Sequence, residues 1–247
     1  MMIRLSFVAR CVLAVAILAL VSPPARARDF TWDGNFNTLW DRQSGSDRTN
    51  WDPQQINNPI PDSNDNVFFG PIDAPRTTVD LNGSRTVLSA TFSGSDNYAL
   101  IGSADNDTLT LSTGNLTASG SATHTITAKV GLGADGVWAI NNPEFVVTGV
   151  ISGAYQLNKT GTGTLKLTGG DGITASSLWG LRSSNGDVVF DGAYVNLTST
   201  DFSADTGALL ARGGDITIQN GAVVNMTGAN AFAIVHNAIL TITGSGS

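Results

Sequence analysis

The chain has 247 residues, a formal net charge of −7, 13% charged residues, 28 glycines and a single cysteine. So acidic and sparsely charged a chain lacks the basic surface that nucleic acid or an anionic membrane attracts. One cysteine rules out a disulfide framework, so packing and hydrogen bonds must hold the fold.

The first segment is built for targeting. Arg4 and Arg10 accompany an uncharged apolar run from Cys11 to Val21, Pro23-Pro24 break it, and Ala25-Arg26-Ala27 supplies small residues. That order predicts a secretory signal peptide over residues 1–27, cleaved between Ala27 and Arg28. A membrane anchor would need about 20 apolar residues to span a bilayer, more than this run offers. Cys11 opens the run, whereas a lipid-attachment cysteine would close it. Cleavage removes Arg4, Arg10, Arg26 and the cysteine. It leaves 10 basic against 20 acidic residues, a net charge of −10, and no transmembrane segment. The expected location is secreted or at the cell surface.

Residues 28–76 differ from the rest. Trp32, Trp40 and Trp51 are three of five tryptophans and fall among turn formers such as Asp33-Gly34 and Asp52-Pro53, ahead of Val67-Phe68-Phe69. An aromatic, turn-rich segment before a repetitive region predicts a cap over the first edge of a stacked sheet. The other reading is a platform of exposed rings for stacking sugars.

Residues 77–247 predict short strands in series. Thr86 to Phe92, Asp107 to Ser112, His124 to Thr127, Val137 to Ile140, Phe145 to Ile151 and Leu165 to Thr168 are rich in Thr, Val, Ile and Leu. Gly, Asn, Asp and Ser flank them, and Asn82-Gly83, Asp135-Gly136 and Asn185-Gly186 are turn dipeptides. Alternation places Leu109, Leu111, Leu165, Leu167, Ile216 and Ile218 inward. A repeat is visible near the end. Gly186 to Phe190 matches Gly214 to Ile218 at an offset of 28, and Gly192 to Thr198 matches Gly221 to Thr227 at 29, so one insertion sits in a turn. Ala238 to Gly244 echoes Ala222 to Gly228. Tandem strands with insertions at turns predict an all-β fold, a right-handed parallel β-helix. At roughly 20–30 residues per coil the mature chain would make on the order of eight to ten coils. A β-sandwich is the alternative. The run from Ile239 to Ser247 has no aromatic, proline or charge to blunt a strand edge, which predicts either that the chain is a fragment of a longer solenoid or that it self-associates through an open C-terminal end.

The stretch from Leu157 to Gly170 carries a resemblance. Leu157, Lys159, Gly161, Gly163, Thr164, Leu165, Leu167 and Gly169 fit the core of the autotransporter-associated β-strand repeat, a Leu-x-Lys-x-Gly-x-Gly-Thr-Leu-x-Leu-x-Gly string. Upstream, Trp32-Asp33-Gly34, Asn50-Trp51, Pro61, Asp65, Val67-Phe68-Phe69, Val79 to Gly83 and Ile151-Ser152-Gly153 fall in the order such proteins show. The likeness covers roughly residues 30–170. It implies a bacterial parallel β-helix, secreted or displayed, as in autotransporter passengers or proteins with a C-terminal sorting tail. Asp171-Gly172-Ile173-Thr174 replaces the usual Asn-x-Tyr-x-Gly continuation, and neither a translocating barrel nor a sorting tail appears up to Ser247. The family has no common catalytic residues to carry over.

No residue is assigned a catalytic, cofactor or metal role. His124 and His236 have no second ligand at zinc spacing. Asp187 and Asp215 occupy equivalent repeat positions, so they should stack on neighbouring coils, either as turn caps or as a shared-proton or Ca²⁺ pair. Asp62 to Asp73 opens like a calcium loop, but Val67 takes the glycine position. Gly169-Gly170-Asp171-Gly172 has calcium-repeat character and occurs once. The expected function is a non-catalytic, adhesin-like or structural surface element meeting extracellular polysaccharide or cell-surface components. A polysaccharide lyase or hydrolase, or a carbohydrate-binding module, is the alternative.

Overall fold

Short runs of alternating residues make strands, and each strand finds its partner one coil away. The computed structural model describes residues 26–41, 49–53, 60–73, 76–171, 173–200, 208–228 and 231–244. The apolar run from Cys11 to Val21, read above as part of a signal peptide, lies outside them. The described residues contain 23 strands and no helix.

The strands form three faces of a parallel β-solenoid. One face runs from Asp29–Trp32 through Asn66–Phe69 and Ser89–Phe92 to Leu209–Arg212 and Ala233–His236. The second holds eight strands, from Thr78–Asp80 to Leu240–Ile242, which defines about 7 turns. The third runs from Arg85–Val87 to Val223–Met226. Two long strands, Ile151–Thr160 and Ser176–Ser183, pass through the corner between the third and first faces, with a register shift between Gly153 and Gln156.

Pairings set the coil lengths. Val147 pairs with Leu167, 20 residues on, and Val188 pairs with Ile216, 28 residues on. The turn count falls below eight to ten because residues 28–76 supply strands to the first face only. Stacking already begins there, since Asn66–Phe69 pairs in parallel with both Asp29–Trp32 and Ser89–Phe92. The repeat near the end is a true coil register: Val188 pairs with Ile216 and Tyr194 with Val223, which reproduces both offsets. The insertion falls in the turn where Asn220 and Gly221 take positive φ, at 54° and 76°. The third echo is not a register. Leu240 pairs with Ile216 on the second face, whereas Val223–Met226 lies on the third.

Inward residues line up in rows. Val79, Leu100, Ile126, Val147, Leu167, Phe190, Ile218 and Ile242 form one, a residue per coil. Leu109, Leu111, Leu165, Leu167 and Ile216 are buried, as alternation predicts, and Ile218 is partly so. A parallel row, Tyr98, His124, Phe145, includes a buried histidine whose Nδ1 accepts the Tyr98 N–H at 3.3 Å. Burial pushes His124 down to about 4.

The first end is covered. Trp32, Trp40 and Trp51 are fully buried, with Trp51 packed edge-on against Trp32 and Trp40 at centroid distances of 5.2 and 4.5 Å. Trp32 Nε1 donates to Arg76 O at 3.0 Å and Trp51 Nε1 to Trp40 O at 2.9 Å. Buried rings offer no face to a sugar, so these tryptophans form a cap and no platform. Arg28 grips buried Asp65 through Nε at 2.8 Å and Nη2 at 2.6 Å, which commits the calcium-like loop to an ion pair.

The motif around Leu157 also has a structural reason. Leu157, Leu165 and Leu167 point inward. Lys159 does too: fully buried, it donates from Nζ to Gly161 O at 2.8 Å, to Gly163 O and to Asn185 O at 2.8 Å. Gly161 turns the chain at a φ of 81°. A Cβ at Gly163 would collide with the Asn142 carbonyl one coil below, so only glycine lets the coils close. The ammonium thus ties one turn to the next.

Candidate functional site

Corner lengths shape the surface. Between the second and third faces, the strand ending at Ile126 and that starting at Lys129 leave only Thr127 and Ala128. The next coil leaves residues 148–150. On either side, the corners are longer, at residues 102–107 and 168–175. Two short corners between two long ones make a transverse groove. Its volume is about 490 Å³. The long corners lie three coil steps apart, or about 14 Å at the usual strand spacing.

The floor is small and polar. Thr127, Thr148 and Thr168 follow the paired Ile126, Val147 and Leu167, so their side chains fall in line on three successive coils. Ala128, Gly149 and Gly169 come next. A Cβ at Gly149 would strike the Ala128 carbonyl, and one at Gly169 the Gly149 carbonyl, which keeps this strip flat.

The walls carry the charge. Asp107 accepts N–H bonds from Ala104 at 2.9 Å and Gly83 at 3.2 Å and a hydroxyl from Ser103 at 3.1 Å. Those donors, the Ala104 amide first, hold its carboxyl below the usual range. Opposite, Asp171 Oδ1 accepts from Thr174 N at 2.6 Å and Ile173 N at 2.8 Å, and these lower it likewise. The calcium-like Gly169 to Asp171 stretch is therefore a glycine floor ending in a turn-capping carboxylate. Asp105 stands exposed, and Lys129 Nζ donates to Asn106 Oδ1 at 2.8 Å.

Such a groove presents hydroxyls, peptide groups and carboxylates. A glycosidase acid needs a raised pKa, and Asp107 and Asp171 are both lowered.

Asp187 and Asp215 stack on adjacent coils along the rod. Asp187 Oδ1 accepts the Asp215 N–H at 3.4 Å, and Asp215 Oδ1 the Ile239 N–H at 2.8 Å. Each caps the coil after it, so they do not converge on a site. His124 is a core residue and His236 is exposed, and the described residues contain no cluster of three metal-ligating side chains.

Sequence reasoning did not find the groove. Its signal is the spacing between strands, two residues at 127–128 against eight at 168–175. Compared with family models, with curated proteins and with solved structures, the chain matches none.

Proposed function

We propose that the chain is an exported, non-catalytic β-solenoid of the autotransporter-associated repeat type, passenger-like, acting as a structural or adhesin-like element outside the cell. In that role it lays an extracellular polysaccharide across the groove between residues 102–107 and 168–175. The observation that carries the reading is the groove itself: a polar trough over a flat floor, with Asp107 and Asp171 already spent on backbone N–H groups.

Export is supported by the order of residues 1–27 and by Arg28. That residue is anchored to Asp65 immediately after the exposed Ala27, where a peptidase needs access. The repeat assignment is supported by the separate structural task found for Leu157, Lys159, Gly161, Gly163, Leu165, Leu167 and Gly169.

The test is titration calorimetry of the exported protein with oligosaccharides, neutral and acidic, alongside Thr148→Trp. Thr148 is exposed on the floor, so the indole fills the trough without entering the core. Binding lost in the variant supports the reading. Binding that ignores the indole, or a depolymerase activity abolished by Asp105→Asn with Asp171→Asn, sinks it. N-terminal sequencing should start at Arg28.

A further inference from the structure

The turn that Lys159 ties down carries a reactive arrangement of its own. Asn185 is exposed at the corner between the first and second faces, ahead of Gly186. Its side-chain Oδ1 accepts the Gly186 N–H at 2.9 Å. The carboxamide carbon is one bond beyond that contact, near the roughly 3–3.5 Å from which a nucleophile attacks. The Asn185 peptide oxygen accepts the Lys159 ammonium at 2.8 Å, and Asn185 Nδ2 donates to no described residue. We infer that Asn185–Gly186 is a self-modification site, where the Gly186 nitrogen closes on the Asn185 carboxamide as a succinimide and water reopens it, with Lys159 as the positioning residue.

The Gly186 nitrogen loses its proton to solvent base and forms a bond to Asn185 Cγ. The Cγ–Nδ2 bond breaks and ammonia leaves. Water then adds to one of the two imide carbonyls, which gives aspartate or isoaspartate. The sum is asparagine and water to aspartate and ammonia, with no oxidant or reductant. The hard step is loss of the N–H proton. The charge it leaves spreads onto the Asn185 peptide oxygen, where a fixed ammonium stabilises it. Glycine offers the least hindered nitrogen. No other residue fits, because a Cβ on Gly186 would strike Lys159 Nζ and the Gly161 and Gly163 carbonyls.

The other two Asn-Gly pairs lack this arrangement. At Asn82, Arg85 Nη2 faces the peptide oxygen at 2.5 Å, but the Gly83 N–H donates to Asp107 Oδ2 at 3.2 Å, and a carboxylate there opposes loss of the proton. Asn82 Nδ2 is also held by Asp41 Oδ1 at 2.9 Å, and Asn220 Nδ2 by Asp191 Oδ1. The reaction would act on coil register. It puts a carboxylate or an extra backbone methylene where Ser183 Oγ donates to Gly186 O and Leu165 N to Asp187 O.

The purified protein is aged at neutral pH, folded and unfolded in urea, and its peptides are mapped by mass spectrometry that separates aspartate from isoaspartate. Folded, Asn185 should convert at least as fast as in urea, and roughly tenfold or more faster than Asn82 and Asn220. Hydroxylamine should cleave the aged chain after residue 185. Lys159→Met should slow Asn185 by roughly tenfold or more, whereas a merely structural lysine would, on removal, loosen the turn and speed it. Burial brings Lys159 down to about 8, with Asp187 pulling it partly back. The rate at Asn185 should therefore climb less steeply above pH 8 than the rate at Asn220. Folded protein in which Asn185 is protected relative to urea or reacts no faster than the other two overturns the proposal. So does a Lys159→Met variant that reacts as fast as wild type, or ammonia loss that ends in a Lys159–Asn185 cross-link. If that variant does not fold, the folded and urea rates of the wild type decide.

Discussion

Replacing Lys159 with Met isolates the tie between coils. Methionine fills nearly the same space with no donor, so the change removes three hydrogen bonds and little packing. The carbonyls of Gly161, Gly163 and Asn185 lose the ammonium they share. A buried acceptor left without its partner costs about 1–3 kcal/mol, hence roughly 3–9 for three. Against this, burial drives the lysine from 10.5 down to about 8, with Asp187 pulling it partly back. That shift corresponds to about 3 kcal/mol of desolvation, which Met escapes. The net expectation is a loss of about 3 kcal/mol. At 2–4 °C per kcal/mol for a chain of this size, the melting temperature should fall by roughly 6–12 °C. The sign of the pH effect follows from linkage. Between pH 8 and 10.5 the unfolded lysine keeps a proton that the folded one gives up, so wild-type stability rises with pH relative to the variant. Thermal melts of both proteins from pH 7 to 10.5 check both points. A variant within 2 °C of wild type at pH 7, or a gap that narrows as pH rises, refutes the reasoning.

Leu165→Asp puts a charge into the core at a fully buried position and should cost more than 4 kcal/mol, seen as loss of soluble, cooperatively melting protein. His124 is lowered to about 4 by burial, so below pH 6.5 the unfolded chain takes up a proton that the folded one refuses. Wild type should lose about 3 kcal/mol between pH 6.5 and 4, and His124→Phe, which extends the run of aromatic rings beside Phe92 and Phe145, should lose less over the same range. Urea titrations at the two pH values measure this, and equal losses would assign the acid sensitivity elsewhere. Asp187→Asn with Asp215→Asn keeps both acceptor oxygens, so stability should change by under about 0.5 kcal/mol. The same double variant should leave glycan turnover unchanged, and a depolymerase activity that it abolishes would make the chain an enzyme.

Local alternation was enough to read the inward leucines at 109, 111, 165 and 167, because a strand's period of two needs no knowledge of its neighbours. The offset repeat at 186–198 was legible for a related reason, since a solenoid writes its spatial period into the chain. The tryptophan cap followed from the need to cover an edge. What could not be read depends on distant residues. Lys159 stands between polar neighbours, and a charge there reads as outward. Its third acceptor, Asn185, lies 26 residues away on the next coil. The groove belongs to no motif. It arises from the difference between two corner lengths, and its charged walls at Asp107 and Asp171 are turn caps when seen alone. The Ala238 echo misled because strands on different faces share one composition.

Unequal coils have a mechanical consequence. Hydrogen bonds between coils run along the rod, so a pull along its axis opens them a coil at a time. Each release frees as much chain as one coil holds. Coils of 20 and 28 residues would lengthen the chain by roughly 70 and 95 Å when extended. Where Lys159 rivets two turns together, the force needed should peak. Pulled along its axis, such a rod would yield in graded steps, each as long as the coil it releases, and so would take up strain in small amounts.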